Sequence, residues 1–161
     1  MKDMMEIILS EVEKNNIKIY KWSKSQCGLA EEGRQIKIPK PVDYETLGIC
    51  FHEIGHIDLG HMDEGDNKLR YIEEYEAEIY AIKKLKEYGF YNKQYEYRAI
   101  HYVLQKLAQA RNRGHNMKNV PKEIVRWTGM QVCKWNKASR VFVTRHSGAK
   151  TKSDVKIKLY E

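Results

Sequence analysis

Apolar residues recur along this chain with two different periods. Met4, Met5, Ile8 and Val12 fall on one helical face, the spacing of an amphipathic helix. "IKIYKW" (17–22) and "RQIKIP" (34–39) instead alternate, which predicts two strands, with "EEG" supplying the turn before the second. Pro39 and Pro41 stop the sheet, and Asp43 is a good N-cap for a helix from Tyr44 to Leu59, closed by Gly60. Leu47, Cys50, Phe51, Ile54 and Ile57 form its apolar stripe. The polar loop "HMDEGDN" (61–67) precedes a second long helix, Lys68 to Tyr88, with Gly89 as its C-terminal cap. A third spans Tyr91 to Arg111, with Ile100, Leu104, Leu107 and Ala108 as its buried face. "RNRGHNMKNVP" (111–121) reads as a linker, and beyond it come two short helices and a basic, β-prone tail. The pattern predicts an α+β fold: a mainly helical domain over residues 1–112 with a short N-terminal β-hairpin, and a smaller module over 113–161.

The helix from Tyr44 carries chemistry on its apolar stripe. His52, Glu53 and His56 form H-E-x-x-H. Positions i and i+4 share a helical face, so both imidazoles can reach one ion, and burying them without a partner would be costly. Glu53 sits beside them and can serve as a base without ligating, the arrangement of zinc-assisted hydrolysis. A third ligand is needed, and "YIEEYEAEIYA" (71–81) offers several glutamates. Glu74 and Glu78 share a face with Ala77, Ala81 and Leu85, where small alanines allow a facing helix to come close. Glu74 is the expected third ligand. Glu78, one turn on, is placed to accept a hydrogen bond from a ligating imidazole. Glu73 and Glu76 point elsewhere and are expected in solvent, with Glu76 the main rival ligand. His61 is expected near the helix C-terminus, where positive charge is favoured. Leu59 and Met62 exclude the metzincin pattern, which needs glycine and histidine there.

The hairpin ending in "IKIP", followed by "HEIGHIDLGH" and "EYEAEIYA", resembles the ImmA/IrrE family of zinc metallopeptidases, within the gluzincin group; the likeness covers residues 17–88. It implies a zincin-like metallopeptidase core, zinc held by His52, His56 and the glutamate of E-x-x-A, here Glu74, and Glu53 as catalytic base. Related zincins often have aspartate after that alanine, where this chain has Glu78. An oxyanion donor is also required; Tyr75, His101 and His115 are the candidates. Sites of this type also accept other divalent ions.

Charge changes the picture for the C-terminal part. Residues 1–100 carry 15 basic and 19 acidic residues, a net −4, while residues 101–161 carry 14 and 3, a net +11. Such asymmetry points to a polyanion, nucleic acid first. "PKEIVRWTGMQVCKWNKASRVF" (121–142) has helix-turn-helix spacing: Ile124 and Val125 in the first helix, Gly129 at the turn, then Met130, Trp135 and Ala138. Gln131, Lys134 and Lys137 would face a major groove, and the tail would form a wing-like hairpin with Arg145, Lys150 and Lys152 on phosphates. A structural or protein-docking helix pair satisfies the same spacing.

No apolar run reaches the length needed to span a bilayer, so no membrane partner is expected. The three cysteines, Cys27, Cys50 and Cys133, form no C-x-x-C pair, which points to a reducing, cytoplasmic compartment. The expectation is a cytoplasmic zinc peptidase, and the family resemblance implies that it is an endopeptidase making limited cuts in a regulatory protein. The resemblance implies a phage or mobile-element repressor carrying a helix-turn-helix as substrate. Two alternatives stand beside it: a DNA-binding or antirestriction-type factor with a structural or inactive zinc site, and a DNA-stimulated protease acting on DNA-bound proteins.

Overall fold

The first helix, α1 (Met4–Lys14), is capped by the Asp3 carboxylate, which accepts from the Met5 N–H, and buries Ile7, Ile8, Glu11 and Val12. The computed structural model describes residues 3–63, 65 and 68–130, and the backbone of 141–143 and 156–158. Three short strands follow: β1 (Lys18–Ser23), β2 (Leu29–Glu31) and β3 (Gln35–Pro39). Helices α2 (Tyr44–Asp58), α3 (Arg70–Glu87), α4 (Lys93–Asn112) and α5 (Lys122–Thr128) come next, with a 3-10 turn at Met117–Asn119. The class is α+β.

The hairpin is not the one expected. β3 lies in the centre of the sheet, with β1 parallel to it on one side and β2 antiparallel on the other. The turn at Glu32–Arg34 therefore joins β2 to β3, while "IKIYKW" runs parallel to "RQIKIP". Parallel neighbours need a crossover, and here residues 24–34, including β2, provide it. As central strand, β3 buries Ile36 and Ile38 completely, and α2 packs on it.

The ends of α2 follow its caps. The Asp43 carboxylate accepts from the Thr46 N–H at 2.8 Å and the Thr46 hydroxyl returns to the Asp43 backbone, a capping box. At the other end Gly60 takes φ +73°, the Gly60 N–H bonds to the Ile57 carbonyl and the His61 N–H to the His56 carbonyl at 2.9 Å. This is a Schellman reversal, which needs the left-handed conformation that glycine adopts freely. It folds His61 back over the last turn of α2.

Helix α3 lies against α2, with Ala77, Ala81 and Leu85 fully buried and Tyr88 stacked on Phe51 at 5.8 Å. Glu11 ties α1 to α3: it accepts from the Tyr88 hydroxyl at 2.6 Å and from Lys84 Nζ at 3.1 Å. Along α4 the buried stripe is Tyr95, Ala99, Val103 and Leu107, at strict i, i+4 spacing. Ile100, Leu104 and Ala108 are only half-buried, so the stripe is rotated from the expected one.

The chain forms two compact units, Met1–Ala99 and Ile100–Glu161. In the second, Val120, Ile124, Thr128 and Met130 are buried, α5 ends in Gly129 with φ +65°, and β4 (Val141–Val143) pairs antiparallel with β5 (Lys156–Lys158). The expected second helix of the helix-turn-helix, and with it Gln131, Lys134, Lys137, Arg145, Lys150 and Lys152, lies outside the described residues. Among the described residues no helix is long and apolar enough to cross a membrane.

Candidate metal centre

Two helices build the site. The i, i+4 spacing on α2 puts His52 and His56 on the face that meets α3, and α3 presents Glu74 to them. Their donor atoms converge: His52 Nε2 lies 3.1 Å from His56 Nε2 and 3.2 Å from Glu74 Oε2, and His56 Nε2 lies 3.6 Å from the same oxygen. Four donors set tetrahedrally around an ion at zinc's bond lengths stand about 3.3 Å apart. The three atoms thus occupy three corners of such a site. All three residues are buried, and together they form a group able to hold a metal ion.

Each ligand candidate is held from behind. Arg70 Nε lies 2.8 Å from Glu74 Oε1, leaving Oε2 toward the imidazoles. His52 Nδ1 lies 3.2 Å from Glu78 Oε1, and Glu78 Oε2 accepts from the Tyr95 hydroxyl at 3.0 Å. Burial, and then Glu78, hold the Tyr95 phenol well above its ordinary value, so it stays a donor. Gly48 makes room for that ring: a Cβ there would lie 2.7 Å from Tyr95 Cδ2 and closer still to the next ring atoms.

Of the two glutamates expected in solvent, Glu73 is buried and Glu76 is only partly exposed. Glu73 pairs with Arg70 at 2.9 Å. Glu76 does not enter the trio; its Oε2 lies 2.8 Å from His61 Nε2 and 2.8 Å from Lys68 Nζ. His61 lies just past the C-terminus of α2, as expected. It is buried, with Nδ1 2.9 Å from His56 Nδ1. Arg70, Tyr95 and His61 were not assigned these contacts from sequence. Gly60 next to His61 was the one available signal, because a left-handed residue there turns the following side chain back onto the helix.

The electrostatics divide the roles. Burial disfavours the charged form of His52, but hydrogen bonds with Glu74 and then Glu78 outweigh it and push the pKa up to about 10. Burial takes His56 down to about 4 against the pull of Glu74. Burial would raise Glu74, yet His52 and His56 hold it far below the usual carboxylate range. A divalent cation would compete for the same lone pairs as the proton on His52. Glu53, buried beside the trio but not part of it, is pushed up to about 7 by burial, with the His52 charge opposing. That value suits a group that takes and returns protons near neutral pH. Its side chain lies against Gly28, where a Cβ would come within 2.7 Å of Glu53 Cδ.

Of the oxyanion candidates, Tyr75 is half-buried on α3. His101 and His115 belong to the second unit, and His115 is exposed. No protein-family model matches the chain, and neither the curated proteins nor the solved structures give a match.

Proposed function

We propose that this chain is a zinc-dependent endopeptidase of the ImmA/IrrE type, working in the cytoplasm and making limited cuts in a regulatory protein. The observation that carries the reading is the near-tetrahedral spacing of His52 Nε2, His56 Nε2 and Glu74 Oε2, with the buried carboxylate of Glu53 next to His52 in the chain. Zinc is the natural occupant of two imidazoles and one carboxylate with a position left open, and when bound it supplies the Lewis acidity that makes water nucleophilic near neutral pH.

The chain's own residues do the rest. Glu53 takes the proton of the attacking water and returns it to the departing amine of the cleaved peptide bond. Arg70 holds one oxygen of Glu74 so that the other would take the ion, and Glu78 orients His52 through Nδ1. Tyr75 is the first candidate for the oxyanion donor in the first unit. The substrate class follows from the family resemblance: a helix-turn-helix repressor of a phage or mobile element.

The test is Glu53→Gln. The zinc-loaded wild type should make one discrete cut in such a repressor, and the variant should keep its zinc and lose the cut. Equal cleavage by both proteins would end the catalytic assignment.

The net +11 of residues 101–161 supports a second reading, DNA contact by that part of the chain, as a regulator or as a DNA-stimulated protease. It predicts DNA binding that weakens steeply with salt and persists in Glu53→Gln. Cleavage stimulated by DNA would favour the protease version.

A further inference from the structure

His56 is backed by a chain of side chains that the peptidase reading does not require. His61 Nδ1 sits 2.9 Å from His56 Nδ1. His61 Nε2 sits 2.8 Å from Glu76 Oε2, and Lys68 Nζ lies 2.8 Å from that same oxygen. The His61 side chain is wholly buried, whereas Glu76 and Lys68 reach the surface.

The backbone dictates the contact. The Schellman turn at Gly60 bonds the His61 N–H to the His56 carbonyl, so the two residues are held together by main chain as well as by their rings, which meet edge to face at 5.1 Å. A gap of 2.9 Å between two imidazole nitrogens holds one proton: two would repel, and none would set lone pair against lone pair.

Chemistry then assigns the direction. If His56 gives its Nε2 lone pair to a metal ion, the neutral ring carries its proton on Nδ1. His61 Nδ1 must accept that proton's hydrogen bond, so the His61 proton lies on Nε2 and is donated to Glu76. Lys68 keeps Glu76 charged and in place. We infer that His61, Glu76 and Lys68 form a one-way hydrogen-bond relay that locks His56 in the tautomer and orientation a metal ion needs, with His61 as the positioning residue.

The inference rests on the metal-site reading above and extends it. His52 is backed directly by a carboxylate, Glu78, whereas His56 meets a neutral imidazole first and a carboxylate second. It also reassigns Glu76, the rival ligand by sequence, to the far end of the relay.

The first experiment uses the zinc-loaded full chain with 15N-labelled histidine. A scalar coupling between His56 Nδ1 and His61 Nδ1 across the hydrogen bond, with the proton on His56, is expected. A His56 ring protonated on Nε2, or no coupling to His61, would overturn the relay. Zinc affinity, measured by competition with a chromogenic chelator, should fall about 10–100-fold in His61→Leu. His61→Asn, which offers a carbonyl acceptor, should recover part of that loss, and Glu76→Gln should lose less than His61→Leu.

Metal-stripped His61→Leu that melts cooperatively yet binds zinc as tightly as wild type would also overturn the relay while leaving the peptidase reading intact. Wild type that binds no zinc would sink both. Should His61→Leu fail to fold, the coupling measured in wild type decides alone.

Discussion

Gly48→Ala is a test in which two simple arguments give opposite signs. Gly48 lies inside α2, and alanine is favoured over glycine in a helix interior by about 1 kcal/mol. Helix propensity alone therefore predicts a more stable protein. The packing predicts the reverse. A Cβ at position 48 would fall among the Tyr95 ring atoms, 2.7 Å from Cδ2 and closer to Cε2 and Cζ, and Tyr95 is itself buried. Moving a buried ring costs about 1–3 kcal/mol. The displaced hydroxyl also loses its 3.0 Å bond to Glu78, a bond to a charged group worth about 1.5–3 kcal/mol. Set against the propensity gain, the net loss is about 1.5–5 kcal/mol.

Urea unfolding of the metal-stripped protein measures this, together with Tyr95→Leu and the double variant. On the Tyr95→Leu background the clash is gone, so Gly48→Ala should become neutral or mildly stabilising. The coupling between the two sites should exceed about 1.5 kcal/mol. A single Gly48→Ala protein as stable as wild type, or more so, would refute the argument that this glycine exists to seat Tyr95 behind Glu78.

Three further predictions concern other parts of the first unit. Metal analysis of zinc-replete wild type should give one ion per chain, and Glu74→Ala should weaken or lose it; retention at wild-type affinity would remove Glu74 from the trio. Gly28→Ala should leave zinc content unchanged but slow cleavage about 10–100-fold, because its Cβ would press on the Glu53 carboxyl and small displacements at the reacting group are costly; an unchanged rate would show that Glu53 does not depend on that contact. Burial would raise the pKa of Glu11, but the Tyr88 and Lys84 bonds win and hold it below 4.5, so its contribution is fully present above that value and is lost as pH falls through the lower, folded one. Glu11→Gln should therefore cost about 1.5–3 kcal/mol at pH 7, and chemical unfolding at a series of pH values should show the gap to wild type closing in acid; a gap independent of pH would contradict the ion-pair account.

Much of this protein is local and could be read from the chain alone. Asp43 and Gly60 delimit α2 because capping and helix reversal depend on residues a few positions apart. His52 and His56 share a face because the helical period dictates it. Glu74 and Glu78 follow the same rule on α3, where Ala77 and Ala81 let the two helices meet. Tertiary structure decided what no local period encodes. β1 lies parallel to β3 because strand partnership is a long-range choice, and β2, only three residues long, is too short to show an alternating pattern of its own. Glu76 and Glu73 look like ordinary solvated glutamates until the reversed loop brings His61 to the one and Arg70 folds over the other. Tyr95 comes to support Glu78 behind the candidate metal centre only because α4 packs that ring into the gap left by Gly48. The sequence carried the donor set and its spacing, and packing between elements distant in the chain supplied the partners that hold those donors in place.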